Sequence, residues 1–183
     1  RTGARPAMLR ELNASNRQVR WSVDSYALVL DGLQLPMGAM GDRYGRRGAL
    51  QMGYLLFGLG SLASAFATTA DQLIATRAFM GIGGALIMPA TLSIITATFQ
   101  GRARATAISL WSAVGGIAIV AGPIIGGLLV QYLSWRWIFF INVPVSALVF
   151  VLTLRFVGES RDPAKAGKVA LLGDPHPSRA LFG

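Results

Sequence analysis

Gly38-Ala39-Met40-Gly41-Asp42-Arg43-Tyr44-Gly45-Arg46-Arg47-Gly48-Ala49-Leu50 is a basic, glycine-punctuated stretch set between two apolar runs of membrane length. Two apolar helices joined by so short a link are expected to lie antiparallel as neighbours, and small residues such as Gly38 and Gly41 let their backbones approach closely. The arginines at 43, 46 and 47 then orient the link, because Lys and Arg accumulate in cytoplasmic loops. The stretch reads as a charged hinge from which the remaining helices take their direction.

Composition agrees with that reading. The chain has 183 residues, 53% of them hydrophobic and 14% charged, with a mean hydropathy of +0.52. That is a membrane composition rather than a soluble one. The net charge of +9 comes from 17 basic residues placed in the termini and short links, with Arg77 the exception. Such a distribution orients a chain in a bilayer rather than forming a phosphate-binding face, so no nucleic-acid partner is expected. The absence of cysteine excludes a disulfide framework, a thiolate metal site and a cysteine nucleophile. The one histidine, His176, sits in Asp174-Pro175-His176-Pro177 and reads as a solvated loop residue. No paired histidines, Ser-His-Asp set or metal-ligand cluster stands out, so the expectation is a non-enzyme without metal or cofactor.

Along the chain, residues 1–20 carry five arginines and no apolar run. They form a basic N-terminal segment rather than a signal peptide. The first residue is Arg1 rather than methionine, which suggests a fragment or a processed product. Five spans follow, at about 21–40, 48–67, 72–99, 105–132 and 136–156 within a helical region 21–157, and a polar cytoplasmic tail closes the chain at 158–183. Twenty residues at about 1.5 Å each make about 30 Å, the thickness of the hydrocarbon core. The fourth span is long for one crossing, and tilt or bending at its Gly and Pro residues is expected to absorb the excess. Ser134-Trp135-Arg136-Trp137 reads as an interfacial aromatic anchor.

Parity tests the topology. With Arg43 cytoplasmic, the link at Arg102 and Arg104 and the tail are cytoplasmic too, and the links at Asp71 and Trp135 lie outside. Basic residues follow that division, with none at 68–76 and only Arg136 at the far turn. The five N-terminal arginines break the rule, unless a further helix precedes residue 1 and makes them part of a translocated loop.

The pattern Gly38-x-x-x-Asp42-Arg43-x-Gly45-Arg46-Arg47 resembles the loop after the second helix of the major facilitator superfamily. The resemblance implies an all-α membrane protein with about five transmembrane helices of a partial major facilitator fold. It also implies that the aspartate and arginines form a charge-linked latch between helices that open and close together. Ala113-Val114-Gly115-Gly116, continuing to Gly122-Pro123-Ile124-Ile125-Gly126-Gly127, resembles the fifth-helix antiporter motif of that family, with Ala118 where a further glycine is expected. Gly115, Gly122 and Gly126 share one helical face. Trp21-Ser22-Val23-Asp24-Ser25-Tyr26 and Ser134-Trp135-Arg136-Trp137-Ile138-Phe139-Phe140-Ile141-Asn142-Val143-Pro144 are similar to the second and sixth helices of its fourteen-helix drug:proton antiporter branch, particularly the quaternary-ammonium exporters. The likeness covers about residues 6–165, that is, helices two to six.

Three ionisable residues inside the spans are the candidates for proton or cation coupling. Arg77 costs at least about 2.5 kcal/mol in a span and asks for a partner. The resemblance associates an arginine before this glycine-rich turn with proton transfer, while snorkelling to headgroups satisfies the same cost. Asp24 lies about 5 Å into the outer leaflet, at a depth similar to that of Arg77. An Asp24–Arg77 pair is open to it, as is a plain interfacial role. Asp31 shares the face of Asp24, about 15 Å deep, where it should be paired or protonated. A second cation site and a local peculiarity of this chain are both open for Asp31.

The expected function is proton-coupled export of a small lipophilic or cationic drug across the bacterial inner membrane, by a multi-pass protein whose partners are lipid, protons and substrate. The other reading is a truncated, non-transporting membrane fragment, because five spans do not make two pseudo-symmetric halves.

Overall fold

The computed structural model describes residues 11–158, and every regular element among them is helical. In chain order α1 is Asn16–Tyr44, α2 Arg46–Ala65, α3 Ala70–Thr98, α4 Gly101–Tyr132, α5 Trp137–Phe140 and α6 Asn142–Phe156. Residues 1–10 and the tail after Gly158, including His176, lie outside the described residues.

α1 starts at a capping box. Ser15 Oγ accepts from the Gln18 N–H at 3.2 Å, and the Gln18 side chain accepts from the Ser15 N–H at 2.9 Å. Two orphan donors of the helix start are thereby satisfied. The stretch 38–50 is not an open loop: Gly45 alone lies outside helix, between the end of α1 and the start of α2. Its φ of 131° is open to glycine and strained for other residues, and it reverses the chain in one step. Gly38 and Gly41 are therefore packing residues. A Cβ on Gly38 would stand 3.0 Å from Pro89 Cβ, and one on Gly41 3.1 Å from Ala49 Cβ.

The bundle is organised around α3. Although α1 and α2 are joined by one residue, each packs far more extensively on α3 than on the other. Glycines explain why. A Cβ on Gly83 would lie 2.6 Å from the backbone nitrogen of Phe57 and 2.7 Å from the Gly53 carbonyl, so α2 and α3 cross backbone to backbone. On a second face of α3, a Cβ on Gly81 would lie 2.8 Å from the Tyr26 carbonyl of α1. Small residues on both sides of α3 thus seat two helices at once. A core of Leu12, Val19, Ala65, Ala67, Leu73, Met80, Trp135 and Phe139 closes the end of the bundle opposite Gly45.

The fifth predicted span is divided into α5 and α6, with Ile141 between them in helical geometry. Pro144 has no N–H to donate to the Phe140 carbonyl, so the regular ladder restarts at Asn142. Trp135 is fully buried rather than interfacial. Its indole N–H donates to Glu11 at 2.7 Å, which satisfies its polar edge inside the bundle.

α4 stands apart. It runs unbroken through Pro123, has no buried residue, and touches only α3 and α5 among the described helices. α3, α4 and the stretch Trp137–Phe156 are long and apolar enough to cross a membrane. α1 and α2 have the length, with 29 and 20 residues, but charges and small polar residues lower their hydropathy below that of the other three.

Candidate functional site

The Gly45 end of the bundle gathers the charged stretch into a four-helix junction. Asp42, in the last turn of α1, pairs with Arg46 at the start of α2, with Nε to Oδ1 at 3.1 Å. The same carboxylate oxygen accepts from Ser93 Oγ on α3 at 2.8 Å. Arg47 reaches in another direction and donates through Nη2 to the Leu154 carbonyl in the last turn of α6, at 2.8 Å. That carbonyl is one of the four left without a helical partner, and the guanidinium also suits the negative end of the helix dipole. Arg43 instead lies over the ring of Tyr44, 5.2 Å from its centroid. The junction thus joins α1, α2, α3 and α6 through side chains that lie a few residues apart, at Asp42, Arg46 and Arg47.

Beside it, α1, α3 and α4 line an open groove of about 520 Å³ that includes Gln34, Gly38, Asp42, Met88, Pro89 and Trp111. Its wall is mainly apolar, with a carboxylate at one end.

At the other end, Arg136 does for α2 what Arg47 does for α6. Its Nη1 donates to the carbonyls of Ala65 and Ala67 at 2.6 and 3.0 Å, capping the end of α2 from a distant part of the chain. Its Cζ lies 4.7 Å from the centroid of Trp135, and its Nε 3.9 Å from Glu11 Oε2. Neither this clasp nor the contact of Asp42 with Ser93 was foreseen from the sequence. Both join residues far apart in the chain, and a serine in an apolar run carries no signal of its partner.

Arg77 sits between α1 and α5. Its Nε donates to the Ser22 carbonyl, and its guanidinium carbon lies 5.5 Å from the Tyr26 ring centroid and 5.6 Å from that of Phe139. Beside it Ser25 Oγ donates to the Ile74 carbonyl at 3.2 Å. Snorkelling is not the arrangement seen, because the group turns inward to a carbonyl and two rings. The Asp24–Arg77 pair is not formed either. Asp24 and Asp31 both lie on the exposed side of α1, and neither takes part in an ion pair among the described residues.

The glycines of α4 make a smooth stripe with nothing against it among the described residues. A Cβ added at Gly115, Gly116, Gly122, Gly126 or Gly127 would meet no atom within 4 Å, and Pro123 is exposed among them. No cluster of metal-ligating side chains occurs among the described residues.

Comparison with known proteins places this geometry. The sequence model of the Major Facilitator Superfamily matches residues 2–180. The methyl viologen resistance protein SmvA of Salmonella typhimurium is 44% identical over 174 residues, covering 92% of this chain and 35% of that protein. The multidrug efflux pump LfrA of Mycolicibacterium smegmatis is 40% identical over 161 residues, covering 87% and 32%. The methylenomycin A resistance protein of Bacillus subtilis is 39% identical over 167 residues, covering 91% and 35%. The chain thus spans about a third of the length of these relatives. A family match across nearly all its residues, on a helical bundle with three apolar helices of membrane length, identifies this chain as a membrane protein that belongs to the Major Facilitator Superfamily.

Proposed function

We propose that the chain forms helices two to six of a proton-coupled drug exporter of the fourteen-helix branch, in the bacterial inner membrane. The observation that carries this reading is the 44% identity, over 92% of the chain, to a methyl viologen resistance protein. Methyl viologen is an aromatic dication, the charge type that the carboxylates of Asp24 and Asp31 suit. In this reading α1 and α2 cross the bilayer with the three more apolar helices, and the 38–50 stretch faces the cytoplasm, where its arginines favour it.

Protons and a cationic drug compete for the same acids. Proton binding from outside then releases the drug outward, and proton loss to the cytoplasm restores the cation site. Arg77 couples to this exchange as a fixed positive charge mounted against α1, through the Ser22 carbonyl and the Tyr26 ring. The Asp42–Arg46–Ser93 junction is a latch, made in one access state and broken in the other. The bare stripe at Gly115, Gly122, Pro123 and Gly126 lets α4 slide against its neighbours without side-chain steps, and Gly127 extends it.

The test is a chimera. This chain replaces the matching segment of the Salmonella methyl viologen resistance protein, in cells lacking their own exporter. Export of methyl viologen that collapses with a protonophore supports the reading. The Asp24→Asn chimera should lose most of that export. Wild-type export by Asp24→Asn would remove Asp24 from the mechanism, and export indifferent to the proton gradient would remove proton coupling.

A further inference from the structure

Arg77 is a half-buried cation that forms no ion pair with a carboxylate among the described residues. What surrounds it instead is a mount: the Ser22 carbonyl, the ring of Tyr26 on α1 and the ring of Phe139 on α5. Tyr26 stands on a long helix fixed by packing. Phe139 stands on a helix of four residues, whose regularity ends before Pro144. The pose of Phe139 therefore depends on what holds α5 from the side.

Three contacts do so. Ser61 Oγ, on α2 and fully buried, donates to the Phe139 carbonyl at 2.9 Å. Asn142 Nδ2 donates to the same Ser61 oxygen at 3.1 Å, tying in the start of α6. The Trp135 ring meets the Phe139 ring edge to face, at 6.1 Å and 88°, and Trp135 is itself held by Glu11. A chain of contacts thus runs from the clasp at Arg136 through Trp135 and Phe139 to the guanidinium of Arg77.

We propose that Phe139, held by Ser61 and Asn142, is a positioning residue for Arg77. Its ring presses the guanidinium against Tyr26 and the Ser22 carbonyl and keeps it out of water, which fixes where the positive charge stands relative to α1. A cation over an aromatic face is held electrostatically, most firmly when desolvated. The functional part of this inference rests on the coupling role proposed above for Arg77. α5 contributes no titratable side chain, and α1 contributes Tyr26 at the contact, with Asp24 and Asp31 on its exposed side. A change at Phe139 therefore alters pH behaviour only by moving or hydrating a group that is charged already.

The first measurement uses the 183-residue chain in lipid nanodiscs, treated with phenylglyoxal and read by mass spectrometry at each arginine. Phe139→Leu should raise labelling of Arg77 roughly two- to thirty-fold, the range of a cation–π contact between exposed and desolvated limits. Phe139→Tyr, which keeps the ring, should leave it near the wild-type level, and labelling of Arg46 should not change in either. Ser61→Ala should raise Arg77 labelling by a smaller factor, and it decides the matter if Phe139→Leu does not fold. Unchanged Arg77 labelling in Ser61→Ala and in folded Phe139→Leu would overturn the mount, as would equal rises in the Leu and Tyr variants. The second measurement is the pH profile of drug export by the chimera. Phe139→Leu should displace it and Phe139→Tyr should not. If Arg77→Gln exports with a wild-type profile while the labelling result holds, the mount stands and the coupling role of Arg77 fails.

Discussion

Gly83 is the position where the close helix crossing makes its sharpest demand. An alanine there places Cβ 2.6 Å from the Phe57 nitrogen, 2.7 Å from the Gly53 carbonyl and 3.0 Å from the Phe57 Cα, all of them backbone atoms. None can rotate aside, so α2 and α3 must move apart by a large fraction of an ångström. Overpacking of this kind costs about 1–3 kcal/mol, and a rigid obstacle puts Gly83→Ala near the upper figure. Against it stands the gain of about 1 kcal/mol for replacing glycine by alanine inside a helix. The net loss is about 2 kcal/mol, or roughly a thirty-fold fall in the folded-to-unfolded ratio. Gly84→Ala is a control on the same helix, because its closest obstacle is the movable Leu30 Cδ1 at 2.6 Å. Gly116→Ala is a control in open space, where only the helix gain remains. Thermal or dodecyl-sulfate unfolding of the purified chain, followed by circular dichroism, should rank stability as Gly116→Ala highest, Gly84→Ala next and Gly83→Ala lowest. Equal stability of the Gly83 and Gly116 variants would refute the backbone-contact account of the α2–α3 crossing.

Gly45→Ala should lower stability by about 1–3 kcal/mol, because a φ of 131° strains any residue with a Cβ; the same unfolding assay reads it. Arg136→Ala should cost about 1–3 kcal/mol by leaving the Ala65 and Ala67 carbonyls without their partner, and the emission of buried Trp135 should shift to the red. Asp42→Asn keeps an acceptor for Ser93 but loses the charge paired with Arg46, so stability should fall by less than about 1 kcal/mol. Export by the chimera carrying that substitution should fall severalfold, and unchanged export would show that the junction is structural only.

Much of the architecture was legible because it is written in one-dimensional periodicity and charge. Apolar runs of membrane length, links rich in arginine and a glycine at the tight reversal suffice to give the helical membrane class and to mark 38–50 as a junction. The same stretch misled in one respect: it reads as a loop between two spans, yet only Gly45 lies outside helix, while Gly38 and Gly41, expected to permit close approach, do so from within a helix against Pro89 and Ala49. Glycine in sequence does not distinguish a free φ from a missing Cβ.

The sequence by itself determined the helical class, the family resemblance and the residues that carry charge into the apolar region, since burying ionised groups and pairing backbone polar groups are local demands. Only the tertiary structure decided which partner each charge takes. Asp42 found Ser93 as well as Arg46, Arg47 and Arg136 found the ends of α6 and α2, and Arg77 found two rings and a carbonyl instead of Asp24. Those choices depend on the rotation and spacing of helices about α3, which the small residues at Gly53, Gly81 and Gly83 settle by backbone contact across separations that no local pattern records.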